Sequence, residues 1–556
     1  MMEKYNYRKD PHQDIDHVFR DLLPAHGMVE RPAQVELSHQ MLDAMLNGSI
    51  ALCDAGTGIG KTYAYLVAGV VFRRYRSRAG LPNQPLLIST SSIALQGAII
   101  HDYLPFLSKV MMADGMLDSP LRAVLRKGKS HYVCDARLMK RLQTANLDRK
   151  NPLAKAALLS MRDHLDLDMA PHLSGYDRER ICVPPTCDCG KTECRYLCYL
   201  DVCASERYAI QVCNHNLLLA DAIHQGSGKR SILPDSCAIV MDEAHKLTEI
   251  ARQMFGITLE AGELHTLCRK LRREQFLLAA ETLEDTAGLL LSEIAKPWSG
   301  DSSFSHFSIP LDGVERTLSV IHRQIRRMLT AGTRMELERV LDKTKLFCLH
   351  QPDMVYYTAE DETGGSMLCA SATDLTAQLR QTLWQQDRPM ILASGTLAVG
   401  SNFRRFKEET GLLAEGRVRE HIAPSPFDYQ RNCLLYLPQI PPSQADSDYY
   451  DDLAEQIVKL LDAANGHALG LFTSYAAISA VRERLKQRDL PYPVLTLGRN
   501  GGHTMSEFMA HPGSVLLAAG AAWEGFDFPG DCVSLLILPR LPFPMPDAVK
   551  EQERMK

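Results

Sequence analysis

The sequence lacks the features that would assign it to several common classes of protein. None of its apolar runs approaches the roughly 20 residues that a membrane-spanning helix requires. No apolar stretch follows the opening MMEKYNYRKDPHQDIDHVFRD, and no short-period repeat or low-complexity segment is present. We therefore expect a cytoplasmic protein without a signal peptide or membrane contact.

The chain also lacks a strong excess of charge of either sign. Its 556 residues include 62 Lys and Arg and 67 Asp and Glu, which gives a net charge of −5. This balance excludes a uniformly basic nucleic-acid coat, although a local basic channel is compatible with it. The length allows three or four domains, and 45% hydrophobic with 23% charged residues is typical of globular proteins.

No two cysteines have the C-x₂-C spacing that is typical of zinc ribbons, although the chain contains 15 cysteines. Seven of them lie between Cys182 and Cys213, in a segment that includes ICVPPTCDCGKTECRYLCYLDVCA. In a reducing compartment such a cluster indicates a metal site before it indicates disulfides. The spacing alone leaves open Zn²⁺, an iron–sulfur cluster or a group of free thiols.

A phosphate-binding pattern begins at residue 49. An apolar strand from Ser49 to Cys53 leads into the loop AGTGIGKT and then into a helix with apolar spacing. In such a loop, Lys61 neutralises the β and γ phosphates and the Thr62 hydroxyl binds Mg²⁺. The departure from the general pattern is Ala55, which stands where the pattern begins with glycine. The backbone expected to surround the nucleotide comprises Ala55, Gly56, Thr57, Gly58, Ile59 and Gly60.

A pair of acids ends a second apolar strand, in CAIVMDEAHK. We expect Asp242 to hold Mg²⁺ and Glu243 to polarise the water that attacks the γ-phosphate, so Lys61, Asp242, Glu243 and His245 are the candidate catalytic residues. His245 is expected to couple this site to a second α/β unit. A glycine loop and an acidic strand end together predict a doubly wound parallel sheet with its ligand at the carboxyl ends of the strands.

These two motifs resemble motifs I and II of superfamily 2 helicases, and further segments follow in the order of that family. SGTL at Ser394 is similar to motif III, and LFTSY at Leu471 is similar to motif IV. PSPFDY at Pro424 and LPRLPFPMPD at Leu538 are similar to segments of the iron–sulfur helicases of the DinG and XPD type, and the DinG branch fits better. The resemblance also implies nucleotide contacts for Arg31 and Gln34 upstream, and for Glu524, Gly525 and Asp527 in AAWEGFDFPG.

The resemblance implies an α/β fold with two RecA-like parallel-sheet motor domains. An iron–sulfur domain and a helical arch domain are inserted in the first motor domain. The boundaries that we expect are 1–107 and 213–246 for motor domain 1, 108–212 for the iron–sulfur domain, 247–387 for the arch and 388–556 for motor domain 2.

The segment KGKSHYVC resembles the family's first [4Fe–4S] ligand, which would be Cys134. The other ligands precede an Asn-His-x-Leu-Leu segment, here NHNLL after Cys213. We expect Cys189, Cys194 and Cys203 to complete the set, with Cys198 as the alternative fourth ligand. Cys182, Cys187 and Cys213 are then free thiols, and a structural zinc site remains the alternative to the cluster.

The function implied is that of an ATP-dependent DNA helicase that moves 5′ to 3′ along single-stranded DNA. We expect a monomer that uses ATP, Mg²⁺ and a [4Fe–4S] cluster to unwind forked or tailed duplexes or R-loops, in DNA repair or replication. The alternatives are an ATP-gated DNA-binding protein with structural zinc, and a helicase associated with CRISPR systems or mobile elements. Candidate DNA contacts, each with a structural role as the alternative, are Thr90, Gln96, Asn214 and His215.

A final expectation concerns motif VI, which supplies an arginine finger in this family. Nothing of the form Q-x-x-G-R-x-x-R follows LPRLPFPMPDAVKEQERMK. We therefore expect either a fragment or a protein without that activation, which would bind ATP and DNA but unwind poorly.

Overall fold

The chain separates into two compact units. The computed structural model describes residues 10–144, 151–184, 194–205, 207–294, 311–349, 351, 354–360, 366–438, 448–498, 502–523, 528 and 530–542. The first unit ends at Pro426 and the second begins at Phe427. Within the described ranges, no helix combines the length and the apolar character needed to cross a bilayer.

Within the residues that the structure describes, the strands form three separate sheets. Their bounds are β1 Ile50–Ala55, β2 Leu86–Thr90, β3 Ala123–Leu125, β4 Ile210–Cys213, β5 Ala238–Asp242, β6 Ile257–Leu259, β7 Met354–Glu360, β8 Ser366–Ala372, β9 Met390–Ser394, β10 Val418–Ala423, β11 Ala468–Phe472, β12 Val494–Thr496, β13 Val515–Ala519 and β14 Leu535–Ile537.

The sheet of the first unit has seven strands in the order β10-β1-β9-β5-β2-β4-β3, and every neighbouring pair is parallel. Its central strands are apolar along almost their whole length because both faces are covered. Leu87 packs into one core and Ile88 into the other, since successive side chains of a strand point to opposite faces. The parallel order brings the carboxyl ends of β1, β9, β5, β2 and β4 to one edge.

The helices around this sheet lie in sequence between its strands. They are α1 Pro11–His17, α2 Leu23–Ala25, α3 Pro32–Leu46, α4 Lys61–Arg78, α5 Ile93–Ala98, α6 Leu104–Ala113, α11 His215–Gly226, α12 Leu247–Phe255, α17 Thr376–Leu379 and α18 Arg404–Thr410. Helix α3 packs against α4, and its Ser38 hydroxyl donates to the carbonyl of Ala64 at 3.0 Å.

The cysteine-containing segment is a small helical insertion between β3 and β4. Its helices are α7 Asp135–Thr144, α8 Pro152–Ser160, α9 Gly175–Ile181 and α10 Arg195–Ala204. Apolar residues such as Val133, Leu158 and Ile181 give it a core of its own. The insertion is shorter than the expected range 108–212, because β3 and the first residues of β4 belong to the large sheet.

The second insertion contains a sheet as well as helices. Its long helices are α13 Ala261–Arg273, α14 Leu277–Ile294, α15 Leu311–Ile325 and α16 Ala331–Leu349. The antiparallel sheet β6-β8-β7 shares a core with them through Leu259, Leu368 and Ala370. The helices agree with the periodicity of the sequence, whereas this small sheet was not predicted.

The second unit contains the parallel sheet β12-β13-β11-β14. Its helices are α19 Tyr429–Asn432, α20 Tyr449–Ala464, α21 Tyr475–Lys486 and α22 Gly502–Ala510. The prediction of two α/β units with parallel sheets is therefore confirmed. The first sheet extends to Ala423, beyond the expected boundary at residue 388, because β9 and β10 pair with β1.

Candidate nucleotide-binding site

The phosphate loop lies where the sequence predicts it, between the carboxyl end of β1 and the first residue of α4. Gly58 and Gly60 have φ values of +83° and +89°, a region that favours glycine. A Cβ atom on Gly60 would lie only 2.2 Å from Nε2 of Gln34. The loop therefore turns tightly and presents the backbone N–H groups at the start of α4, as phosphate binding requires.

Arg31 and Gln34 hold this loop from the side of α3. The Arg31 guanidinium donates to the carbonyl of Gly58 at 2.7 Å, and the Gln34 amide donates to the carbonyl of Gly60 at 2.7 Å. Both side chains thus reach the loop, and the structure assigns them a contact that the sequence did not predict. By fixing these carbonyls, they orient the peptide groups whose N–H atoms face the phosphate position.

A second support comes from the segment after β10, which the sequence did not predict as part of the site. The Ser425 hydroxyl donates to the carbonyl of Thr57 at 2.9 Å, and the N–H of Gly56 donates to the carbonyl of Ala423 at 3.0 Å. A Cβ atom on Gly56 would lie 2.6 Å from the backbone nitrogen of Ser425. The sequence signal for this contact is PSPFDY, the segment that resembles the DinG and XPD type.

Lys61 and the two acids meet at the carboxyl edge of the sheet. The Lys61 ammonium lies 3.5 Å from Oε1 of Glu243. Burial, followed by the charge of Glu243, raises the pKa of Asp242 to about 7. Among the described residues, the buried Oδ1 atom of Asp242 has no hydrogen-bond partner. A buried carboxylate oxygen without a partner suits a divalent cation, which the Thr62 hydroxyl at the start of α4 would also bind.

Glu243 has the opposite electrostatic environment. A hydrogen bond with His245, with a further contribution from Lys61, lowers the pKa of Glu243 to about 2, so this carboxylate is ionised at neutral pH. Its φ of +54° is unusual for a residue with a side chain and turns the backbone sharply after β5. The pKa values of the two adjacent acids are therefore shifted in opposite directions, and a cation bound at Asp242 would favour its ionised form.

His245 contacts Ser394 and Glu243, all within the first unit. His245 Nδ1 lies 2.7 Å from the Ser394 hydroxyl and 3.3 Å from Oε2 of Glu243. Ser394 ends β9 of the first sheet, so these contacts lie within the first unit, and the coupling of His245 to the second α/β unit stays a prediction. Gly395 follows directly, and a Cβ atom there would lie 3.7 Å from the Lys61 ammonium nitrogen.

The candidate DNA contacts Thr90 and Gln96 are buried and bind each other. The Gln96 amide donates to the carbonyl of Thr90 at 3.0 Å. Asn214 caps α11 by accepting the N–H of Leu217 at 2.9 Å. His215 is fully buried, and burial lowers its pKa to about 4. The structure therefore favours the structural role for these four residues.

Two of the predicted ligand cysteines lie at the beginnings of helices. Cys134 precedes α7, and Cys194 is the N-cap residue of α10. The residues that follow them form an ion pair, in which Arg195 Nη2 lies 2.5 Å from Oδ1 of Asp135. This pair holds the two helix beginnings together. In the described part of the chain, no three Cys, His, Asp or Glu side chains are grouped closely enough for a metal site.

Cys198 and Cys203 point in different directions along α10. Cys198 is exposed, whereas Cys203 is fully buried, and the Gln211 amide donates to the carbonyl of Cys203. Predicted site residues that lie outside the described residues are Cys189, Glu524, Gly525 and Asp527.

In the second unit, the segment LFTSY runs from β11 into α21. The Ser474 hydroxyl caps α21 by accepting the N–H of Ala477 at 3.2 Å. The indole N–H of Trp523 donates to the carbonyl of Phe472 at 3.0 Å, which holds the segment after β13 against the end of β11. The segment similar to motif IV therefore lies at the carboxyl edge of the second sheet.

Comparison with known proteins agrees with this geometry. Residues 457–556 match a helicase C-terminal domain. The chain is 26% identical over 561 residues to the ATP-dependent DNA helicase YoaA of Haemophilus influenzae, covering 94% of this chain and 83% of that protein. It is 26% identical over 565 residues to the ATP-dependent helicase DinG of Mycobacterium tuberculosis, with the same two coverages.

Among solved structures, Xpd4 of S. tokodaii superimposes with a TM-score of 0.52 at 16% identity, covering 94% of this chain and 85% of that chain. This likeness shows the shared fold. In its ordered motifs, its match to a helicase C-terminal domain and its similarity along almost the whole chain, this protein resembles helicases of the DinG and XPD type.

Proposed function

We propose that this protein is an ATP-dependent DNA helicase that translocates 5′ to 3′ on single-stranded DNA and unwinds forked or tailed duplexes. The observation that carries the proposal is the convergence of Lys61, Asp242 and Glu243 beside a phosphate loop, with Ser394 and His245 behind Glu243. Of the relatives named above, YoaA is named an ATP-dependent DNA helicase and DinG an ATP-dependent helicase. These names support DNA as the substrate.

The nucleotide chemistry follows from the contacts within the site. Lys61 lies 3.5 Å from Glu243, so an incoming triphosphate would draw the ammonium group toward its own oxygens. Glu243 would then be free to accept a proton from the attacking water, and its hydrogen bond from Ser394, with His245 3.3 Å away, fixes its orientation. Mg²⁺, held by Thr62 and Asp242, would supply positive charge at the β and γ phosphates.

We also propose that the cysteine insertion holds a [4Fe–4S] cluster through Cys134, Cys194 and Cys198, with Cys189 as the fourth ligand. Four residues along a helix return to the same face, so Cys194 and Cys198 share one side of α10. Cys203 lies nine residues after Cys194, which is about half a turn away, and it is fully buried. This argument supports Cys198 in place of Cys203, which the sequence favoured.

The helix beginnings suit thiolate ligands. The partial positive charge at a helix N-terminus stabilises a thiolate, and both Cys134 and Cys194 stand at such positions. The bound cluster would supply a rigid link between α7 and α10, in addition to the Asp135–Arg195 ion pair. Zinc remains the competing metal for four thiolates.

Strand displacement on tailed duplexes tests the proposed function. With ATP and Mg²⁺, we expect slow but measurable unwinding of a duplex that carries a 5′ single-stranded tail, and none of one with a 3′ tail. ATP hydrolysis should rise with single-stranded DNA and fall in high salt, since contacts to a phosphate backbone are weakened by salt. An ATP-gated binding protein would bind both DNA molecules and separate neither.

A further inference from the structure

His215 lies at an unusual place for an ordinary core residue. β4 ends at Cys213, Asn214 caps the next helix, and His215 is the first residue of α11. Its side chain is completely buried, although its helical neighbours Leu217 and Leu219 fill the core with apolar groups. An imidazole costs more to bury than such a side chain, so its polar contacts must offset that cost.

The strand order explains what His215 reaches. β2 lies between β4 and β5, and Ser89 of β2 is paired in register with Cys213 on one side and Met241 on the other. Thr90, the next residue, is paired with Asp242. A side chain that extends from the end of β4 across β2 therefore arrives at the acidic end of β5.

The contacts of the ring follow this path. His215 Nδ1 lies 2.7 Å from the Ser89 hydroxyl, and both side chains are fully buried. Burial lowers the pKa of His215 while the backbone of Asp242 acts in the opposite direction, and the titratable groups that act on the ring are Glu243, His245 and Lys246. Among the described residues, His215 Nε2 has no hydrogen bond of normal geometry.

Lys61 and His215 thus approach the acids from opposite directions. Lys61 comes from the β1 side, across β9, and contacts Glu243. His215 comes from the β4 side and contacts Ser89 of β2, which is paired with Met241, the residue before Asp242. We propose that His215 is a positioning residue that fixes the Asp242 carboxylate for Mg²⁺–nucleotide binding. This inference rests on the proposed nucleotide site and does not require unwinding.

The test is the Mg²⁺ dependence of nucleotide binding. A non-hydrolysable fluorescent ATP analogue is titrated with Mg²⁺ in the full chain and in His215→Phe, which retains a ring of similar size without its nitrogens. Groups that orient metal ligands typically contribute 10–100-fold to metal affinity. We expect His215→Phe to raise the Mg²⁺ concentration at half-saturation about tenfold. His215→Gln retains a polar group at this position, so its half-saturation concentration should stay close to that of the unchanged chain.

Two further variants separate positioning from packing. Leu219→Ala removes a buried apolar side chain from the same helix, and it should lower the melting temperature without changing the Mg²⁺ half-saturation. Ser89→Ala removes the hydroxyl that binds the ring of His215 and keeps the ring. It should raise the Mg²⁺ concentration at half-saturation by a smaller factor than His215→Phe. If His215→Phe does not fold, Ser89→Ala provides the test.

The proposal is overturned if His215→Phe and Ser89→Ala leave the half-saturation within twofold of the unchanged chain. It is also overturned if Leu219→Ala, which lowers the melting temperature by a similar amount, raises the Mg²⁺ half-saturation concentration as much as His215→Phe does. Failure of the unchanged chain to unwind tailed duplexes would contradict the proposed function instead, because the binding assay needs neither hydrolysis nor unwinding.

Discussion

Nδ1 of His245 lies 2.7 Å from the hydroxyl oxygen of Ser394, which in turn lies 3.4 Å from Oε2 of Glu243. Because Ser394 ends β9 and Glu243 follows β5, this contact joins two neighbouring strands of the first sheet. A hydroxyl has one proton, so if Ser394 donates to Glu243, His245 must donate to Ser394. The arrangement fixes the tautomer of His245 and the orientation of Glu243.

Ser394→Ala should slow ATP hydrolysis without weakening nucleotide binding. The substitution removes one donor to Glu243 and leaves Lys61 in place, so we expect kcat to fall about tenfold while KM for ATP stays within twofold. Steady-state kinetics with saturating single-stranded DNA provide the measurement. Ser236→Ala is the matched control, because Ser236 is also buried but precedes β5 at the opposite edge of the sheet. Equal kcat for the two variants would contradict the role of Ser394.

Lys61→Ala should abolish ATP hydrolysis and unwinding while single-stranded DNA binding changes little. The loss of the ammonium group removes the charge expected to face the phosphates, and we expect the DNA contacts not to involve this residue. Filter binding and strand displacement measure the two effects. Lys109→Ala, at an exposed position of α6, should behave like the unchanged chain. Persistent unwinding by Lys61→Ala would be incompatible with the assigned phosphate loop.

Gly60→Ala should damage the phosphate loop far more than a left-handed φ alone explains. The new Cβ atom would displace the Gln34 amide, which would lose its hydrogen bond to the carbonyl of Gly60, in addition to the cost of a φ of +89°. We expect ATP binding to be lost and the free energy of unfolding to fall. Gly80 has a φ of +71°, and no atom lies within 4 Å of the position that a Cβ atom would occupy. Gly80→Ala should therefore lower the free energy of unfolding by only about 1 kcal/mol. Similar losses from both substitutions would argue against the packed loop.

Asp242→Asn should stabilise the protein in a chelating buffer, increasingly so as the pH rises. The pKa of Asp242 is raised to about 7, so the folded state holds this proton at a pH where the unfolded state has released it. The free energy of unfolding of the unchanged chain therefore falls between about pH 4 and pH 7. The advantage of Asp242→Asn should grow by up to about 4 kcal/mol over this range.

Thermal unfolding at several pH values measures this difference. Asp163→Asn, at an exposed position, is the control and should show a difference that does not vary with pH. An advantage of Asp242→Asn that is the same at pH 4 and pH 8 would contradict the burial of an uncompensated carboxylate.

Cys198→Ser and Cys203→Ser should have different effects on iron content. The two cysteines lie on one helix, and only Cys198 is on the face of Cys194. We expect Cys198→Ser to lose the iron and the broad absorbance near 400 nm that thiolate-bound [4Fe–4S] clusters show, with Cys203→Ser retaining both after anaerobic purification. The reverse result would restore Cys203 as a ligand, and a colourless unchanged chain that contains zinc would exclude the cluster.

The nucleotide site was predictable because its signals are local. A strand, a glycine loop and a helix follow one another within about thirty residues, and their order alone places Lys61 and Thr62 at the end of a strand. Asp242 and Glu243 end an apolar run of their own, and parallel strands bring such ends to one edge. The helices of the second insertion were likewise visible in the spacing of their apolar residues.

Other features depended on which strands pair. A strand pattern does not specify the sheet that the strand joins, so Met390–Ser394 and Val418–Ala423 were expected in the second motor domain. The contact of Ser425 with the phosphate loop, about 370 residues away in sequence, depends on the same pairing. The small sheet β6-β8-β7 escaped prediction because its strands are short and far apart along the chain.

The sequence by itself therefore determined the chemistry of this protein, because the phosphate loop, the acids and the cysteines are recognisable from residue type and spacing. Only the tertiary structure decided how that chemistry is supported. Strand order brings Ser394 behind Glu243 and Ser89 to His215, and helix geometry separates Cys198 from Cys203. These relationships join residues that are distant in sequence, so no local pattern encodes them.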